Sequence, residues 1–88
     1  LEQIAEYLEA NPKATLLVVG HTDNVGDFQS NVALSQRRAA AVSEALQKQY
    51  GVAPTRLQPF GAGMSAPVAT NVDEAGRARN RRVELVQR

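Results

Sequence analysis

One run of five residues constrains the fold more than any other part of this sequence. Residues 15–19 read Thr-Leu-Leu-Val-Val, and Gly20 ends the run. A short, continuous, β-prone run of this kind predicts a strand that is covered on both faces. Such a strand needs helices packed against its sheet, so the run predicts an α/β fold.

Helix and strand signals alternate on either side of this run. The Asn11-Pro12 pair ends an amphipathic first helix, and Gly51 is the stop signal of a long helix. The predicted elements are, in order, a helix over residues 1–10, the strand Thr15–Val19, a long helix that begins between Ser30 and Ser35 and ends at Tyr50, a short strand at Arg56–Phe60, a short helix at Asp73–Arg79 and a closing strand at Arg82–Val86.

These elements predict an α/β (α+β) two-layer sandwich, with helices packed on a small mixed β-sheet. A chain of 88 residues has the length of one domain, so residues 1–88 are expected to form a single domain. Three strands make a thin sheet, and the chain begins directly in a helical pattern. We therefore expect a domain that lacks an N-terminal strand before Leu1.

Composition argues against several classes of protein. Ten Lys and Arg residues against nine Asp and Glu residues give a net charge of +1, whereas nucleic-acid binders are usually strongly basic. The basic stretch Arg77–Arg82 lacks the interleaved aromatic residues that stack on bases. Cysteine is absent and His21 is the only histidine, so we expect no metal site and no cofactor. Neither Ser35 nor the Asp23 and Asp27 carboxylates form a convincing catalytic set, and no enzyme is expected.

Arg38 is the residue that departs most from the pattern of the long helix. At about 100° per residue it falls within the stripe formed by Leu34, Ala41, Val42 and Ala45, while Arg37 lies near the edge of that stripe. Its guanidinium must therefore either reach solvent along its apolar stem or meet an anionic partner. The same helix phase predicts that Val18, Val42 and Leu46 belong to the core.

Asp23 follows the predicted central strand, where open α/β sheets place ligand sites. Asp23 and Arg38 would suit a zwitterion between them, with the carboxylate taking an ammonium and the guanidinium a carboxylate. Two structural alternatives remain open. Asp23 and Arg38 could pair with each other, or Asp23 could cap its own turn.

Motifs along nearly the whole chain resemble one family. They are Gly20-His21-Thr22-Asp23-Asn24-Val25-Gly26, Asn31, Leu34-Ser35-Gln36-Arg37-Arg38-Ala39, Tyr50-Gly51-Val52, Arg56-Leu57, Gly61-Ala62-Gly63, Pro67, Asn71 and Gly76 to Glu84. This order of motifs is similar to that of the OmpA-like peptidoglycan-binding domains of OmpA, Pal and MotB proteins. The resemblance implies a β/α sandwich that binds peptidoglycan non-covalently by gripping the diaminopimelate group of the stem peptide.

The resemblance also implies roles for individual residues. The ligand-gripping aspartate of the family falls on Asp23 and its arginine on Arg38. The candidate ligand-binding set, completed by positions of the same motifs, is Asp23, Arg38, Asn31, Leu34, Asn24 and Arg81. Arg81 is expected to be either a second ligand contact or a structural brace. Members of the family begin with a strand and a loop that also border the pocket.

The resulting expectation is a non-enzymatic module that anchors an envelope protein to the cell wall. It implies the periplasm of a Gram-negative envelope, in association with the outer membrane, and a parent chain that is membrane-anchored outside this segment. No nucleic-acid partner is expected, and peptidoglycan is the expected partner. The alternatives are a protein–protein interaction module that uses Arg77–Arg82, or a cell-wall hydrolase with Asp23 as general base.

Overall fold

The computed structural model describes residues 1–88 and confirms the predicted sandwich class. Three helices and three strands occur in the predicted order. We number them α1 (Glu2–Ala10), β1 (Leu16–His21), α2 (Phe28–Tyr50), β2 (Leu57–Gly63), α3 (Glu74–Asn80) and β3 (Val83–Gln87), and a short 3-10 turn at Pro54–Arg56 precedes β2. None of the three helices has the length and apolarity needed to cross a membrane.

Several element boundaries differ from the sequence prediction, and two of the differences have a clear physical cause. Helix α2 begins at Phe28 rather than between Ser30 and Ser35, because Asp27 caps it: an oxygen of its carboxylate accepts a hydrogen bond from the Ser30 backbone N–H at 2.7 Å. Strand β2 continues to Gly63, although the segment from Gly61 onward was predicted to be loop. The second difference follows from packing against α2, described below.

Strand β1 lies in the centre of a mixed sheet with the order β2-β1-β3. It runs parallel to β2 and antiparallel to β3, so that Val18 lies between Pro59 and Leu85. The parallel pair requires a crossover, and α2 supplies it. Five of the six residues of β1 are buried, which confirms that the central strand is covered on both faces.

The core forms where α1 and α2 meet the sheet. Its buried residues include Leu8, Val18 and Leu46, each exposed by no more than 1%. The prediction that Val18 and Leu46 are core residues is therefore confirmed. Val42 is only partly buried and packs against the edge of the core.

Helix α2 touches the sheet through small residues. The buried residues of this helix are Asn31, Ser35, Ala39, Ser43 and Leu46. A Cβ added to Gly20 would lie 2.0 Å from the Ser35 carbonyl oxygen, and one added to Gly61 would lie 2.4 Å from the Ser35 hydroxyl. That hydroxyl donates to the Val32 carbonyl and accepts from the Gly63 N–H, both at 2.9 Å. This close approach explains why β2 extends through its glycines.

The same packing corrects the predicted phase of α2. Arg38 is exposed beside the buried stripe, so its placement in the middle of an apolar stripe was wrong. The sequence pattern predicted that Leu34, Ala41 and Val42 form the face of α2 that packs on the sheet. The helix instead buries the short side chains that allow it to approach β1 and β2 closely.

Candidate functional site

Asp23 is fixed in the loop between β1 and α2. One oxygen of its carboxylate accepts the Val25 N–H at 3.0 Å, and the other accepts a guanidinium N–H of Arg81 at 2.8 Å. The residue is only 9% exposed. Of the two structural alternatives raised by the sequence, capping of the turn is therefore present, and the ion pair is made with Arg81 rather than with Arg38.

Arg81 lies between two carboxylates. Its second guanidinium nitrogen donates to Glu74 at the start of α3, on the far side from Asp23. The Arg81 hydrogen bond lowers the pKa of Asp23, and the Val25 N–H lowers it further. Asp23 is consequently a stable anion at neutral pH, and each of its oxygens retains a lone pair for a further donor.

Arg38 is free of intramolecular partners. Its guanidinium forms no hydrogen bond or ion pair, and its side chain lines an open groove of about 480 Å³ between α2 and β3. Arg81 and Arg82 line the same groove, over a floor that includes Val42 and Val83. Asp23 does not itself line this groove. Arg81 connects the two predicted residues, because it pairs with Asp23 and borders the groove with Arg38.

The other three predicted site residues lie in different surroundings. Asn31 is buried, and its amide donates to the Val25 carbonyl at 3.0 Å and to the Asp23 carbonyl at 3.5 Å. Asn31 therefore holds the loop that carries Asp23. Asn24 is exposed and forms no hydrogen bond, and Leu34 is half-buried on α2.

Arg82 is fixed by a carboxylate two residues further along the chain, on β3. Its Nε donates to Glu84 at 2.6 Å, and its terminal nitrogen donates to the Ala66 carbonyl at 3.0 Å. His21 lies next to this Arg82–Glu84 pair. It is the last residue of β1, whereas the sequence predicted the strand to end at Val19. Its Nε2 is 3.7 Å from the Glu84 carboxylate, and neither ring nitrogen has a hydrogen-bond partner. Burial, assisted by the Arg82 charge, lowers the pKa of His21 and favours the neutral ring at pH 7.

Comparison with known proteins identifies the family. Residues 1–81 match the OmpA family. The chain belongs to this family. The prediction made from the sequence motifs is thereby confirmed.

Relatives of this OmpA-family chain are proteins of the bacterial envelope. It is 48% identical over 84 residues to outer membrane porin F of Pseudomonas fluorescens, covering 96% of this chain and 26% of the porin. It is 42% identical over 82 residues to the peptidoglycan-associated lipoprotein of Legionella pneumophila, covering 93% of this chain and 46% of that protein. The chain therefore spans less than half the length of either relative.

A solved structure extends the similarity to three dimensions. The peptidoglycan-associated lipoprotein from Burkholderia pseudomallei superposes with a TM-score of 0.92 at 40% identity, covering 99% of this chain and 73% of that one. These relatives are outer-membrane proteins and peptidoglycan-associated lipoproteins, in agreement with the expected periplasmic, outer-membrane-associated location. None of the three is named for a catalytic activity.

Asn80 is a buried residue beside the candidate site that was not predicted from the sequence. It is fully buried, accepts the N–H groups of Val68 and Ala69 at 2.8 and 3.0 Å, and donates to the Ala69 carbonyl and the Asn71 side chain. It therefore fixes the loop before α3 and the position of the next residue, Arg81. Its uncharged amide within the basic stretch is the sequence feature that could have identified it.

The basic stretch itself is largely engaged within the chain. Arg77 donates to Glu74 and to the Asn71 carbonyl, and Arg81 and Arg82 are paired as described. Arg79 is exposed and unpaired. No group of three or more His, Asp or Glu side chains is placed to hold a metal ion. The arrangement offers fixed charges for binding.

Proposed function

We propose that this chain binds peptidoglycan non-covalently through the diaminopimelate group of the stem peptide and so anchors an envelope protein to the cell wall. The observation that carries the proposal is that Arg81 pairs with the buried, hydrogen-bonded Asp23 anion and lines one groove together with the unpaired Arg38 cation. The names of the relatives support the coarser part of the proposal, since two of them are peptidoglycan-associated lipoproteins.

The chemistry of the ligand fits these charges. Diaminopimelate ends in an amino-acid head, with an ammonium and a carboxylate on one carbon. The ammonium donates to the free lone pairs of Asp23, and the carboxylate accepts a two-pronged hydrogen bond from Arg38. Arg81 lies next to both and supplies a second cationic contact to the carboxylate. Asn31 acts by holding the Asp23 loop, and Asn24 and Leu34 remain candidate contacts on the same loop and helix.

The proposed setting is the periplasm, in association with the outer membrane, with a parent chain anchored to a membrane outside residues 1–88. A binding module of this kind needs no cofactor and performs no turnover. A wall-bound module would connect the membrane-anchored part of the parent protein to the sacculus through the charged groups named above.

A sedimentation assay with purified sacculi tests the proposal. Asp23→Ala and Arg38→Ala should each lose sacculus binding, by roughly 2–5 kcal/mol, because each removes one partner of a charged pair in a partly desolvated site. Arg37→Ala is the matched control. It removes a neighbouring exposed arginine of the same helix and should retain most binding. Wild-type retention by folded Asp23→Ala and Arg38→Ala proteins would refute the site.

Competition separates the finer claim from the coarser one. A soluble stem tripeptide that contains diaminopimelate should displace the protein from sacculi. The same tripeptide with lysine in place of diaminopimelate should displace it less well, because the lysine side chain ends in an ammonium without an adjacent carboxylate. Release of soluble muropeptides during the assay would indicate a hydrolase instead. Equal loss of binding in Arg37→Ala would indicate general charge attraction.

A further inference from the structure

A second groove lies at the opposite end of the molecule from Asp23. It opens between α1 and the C-terminal end of α2 and has a volume of about 510 Å³. Its apolar part consists of Ala5, the buried Leu8 and Val52, and Tyr50, a residue that is 40% exposed. Gly51 ends α2 beside it in the left-handed conformation. The groove therefore offers an apolar floor with an aromatic wall, open to solvent.

The rim of this groove is acidic. Glu2, Glu6 and Glu9 line it, and their spacing of four and three residues places them on one face of α1. All three are exposed, and none forms a hydrogen bond or ion pair. Like charges at this spacing destabilise a helix, and α1 has only nine residues. None of the three carboxylates is therefore neutralised by an ion pair within the chain.

The one cation in the groove is already engaged. The Arg56 guanidinium donates to the carbonyls of Leu8, Asn11 and Ala14, between 2.7 and 3.1 Å, and so fixes the end of α1. Three carboxylates against one cation leave the groove with a net negative charge. An anionic surface or ligand is disfavoured there, and a cationic one is favoured.

We propose that this groove docks a cationic amphipathic peptide segment of a partner protein. A large apolar side chain of the segment packs on Leu8, Val52 and Tyr50, and flanking Lys or Arg side chains pair with the rim glutamates. Helix α2 has 23 residues, so the groove lies about 34 Å from the Asp23 loop. Because of this separation, partner docking and wall binding can occur on one molecule at the same time. The inference does not depend on peptidoglycan binding.

A labelled model peptide tests the groove. The probe is a helical peptide of about fourteen residues with Leu and Phe on one face and Lys on both flanks of that face. Titration monitored by anisotropy should show saturable binding that weakens with added salt. In amide spectra of the labelled domain, shifts should concentrate at Ala5, Glu6, Glu9 and residues 50–52, and should be absent at Asp23 and Arg38.

Matched variants separate docking from folding. Glu6→Gln/Glu9→Gln should weaken peptide binding by about tenfold and should not lower the melting temperature, because it removes like-charge repulsion from α1. Glu44→Gln removes an exposed acid of α2 outside the groove and should change peptide binding by less than about twofold.

Three outcomes would overturn the proposal. The first is equal binding of a control peptide with Glu in place of Lys. The second is amide shifts that lie outside the groove, or no shifts at all, at saturating peptide. The third is groove shifts that depend on protein concentration alone, which would indicate a second copy of the chain as the occupant. Sacculus retention is measured in parallel. Glu6→Gln/Glu9→Gln should retain it, whereas Asp23→Ala should lose it and still bind the peptide, so the failure of either proposal is distinguishable from the failure of the other.

Discussion

Replacement of Gly20 by alanine tests whether the contact between β1 and α2 positions the site. Gly20 lies on the central strand three residues before Asp23, and it faces Ser35, three residues before Arg38. An added Cβ would lie 2.0 Å from the Ser35 carbonyl oxygen, and ordinary contact begins at 3.4 Å. The strand and the helix must therefore separate by more than an ångström, which moves the two charged residues relative to each other.

Two opposing effects set the magnitude. Where space is open, Gly→Ala stabilises a protein by about 0.4–1 kcal/mol through the entropy of the unfolded chain. Overpacking of a close contact costs about 1–3 kcal/mol and occasionally more. Here the obstructing atoms belong to backbone, which cannot rotate away, so we expect the clash to dominate. With the clash at the upper end of that range, the net loss should be about 2 kcal/mol, or roughly 8–16 °C in melting temperature for a domain of this size.

Urea and thermal unfolding measure the loss directly. Gly26→Ala is the control, because nothing lies within 4 Å of its added Cβ and only its positive φ of 91° opposes the change, at about 1–2 kcal/mol. Gly20→Ala combined with Ser35→Ala should not recover stability, because the clash is with the Ser35 carbonyl rather than its side chain. An unfolding free energy of Gly20→Ala within about 1 kcal/mol of the original value would refute the reasoning.

Three further predictions concern stability. Leu46→Ala should lower the unfolding free energy by about 2–5 kcal/mol in urea titrations, because Leu46 is fully buried, and an unchanged midpoint would contradict this. Asp23→Ala should cost about 1–3 kcal/mol at pH 7. That difference from the original protein should shrink as the pH falls below about 4, because the Arg81 hydrogen bond lowers the pKa of the folded Asp23 and acid protonates it. Burial lowers the pKa of folded His21, so the free energy of unfolding should fall as the pH drops below about 6.5, the pKa of an unfolded histidine. His21→Asn should flatten this dependence. An NMR titration midpoint of His21 at or above about 6.5 would contradict it.

Much of the fold could be predicted because local signals agree with the tertiary structure. The Thr15–Val19 run marks β1, and the Gly51 stop signal ends α2 with a left-handed φ of 68°. The error in β2 arose because Gly61 and Gly63 read as loop when taken alone. They continue the strand because the Ser35 turn of α2 lies directly on them, a contact made across the fold.

The candidate site was harder to predict, because the ion pair that fixes Asp23 joins residues far apart in the sequence. Asp23 and Arg81 are 58 residues apart, so no periodicity or spacing links them. Arg38 was selected as a candidate site residue through an incorrect helix phase, because apolar periodicity does not show that α2 buries Ser35, Ala39 and Ser43. The position of Asp23 after the central strand and of Arg38 on the next helix suggested a zwitterion site, and the family motifs implied the same two residues. That assignment remains a prediction.

A crystal structure of the chain bound to a diaminopimelate-containing stem tripeptide tests the central claim most directly. We expect the free ammonium of diaminopimelate at about 2.7–3.0 Å from the Asp23 carboxylate and the adjacent carboxylate at a similar distance from the Arg38 guanidinium. Arg81 should remain hydrogen-bonded to Asp23 or move to the ligand carboxylate. A tripeptide bound elsewhere, with the Asp23 and Arg38 side chains both free of it, would contradict the account.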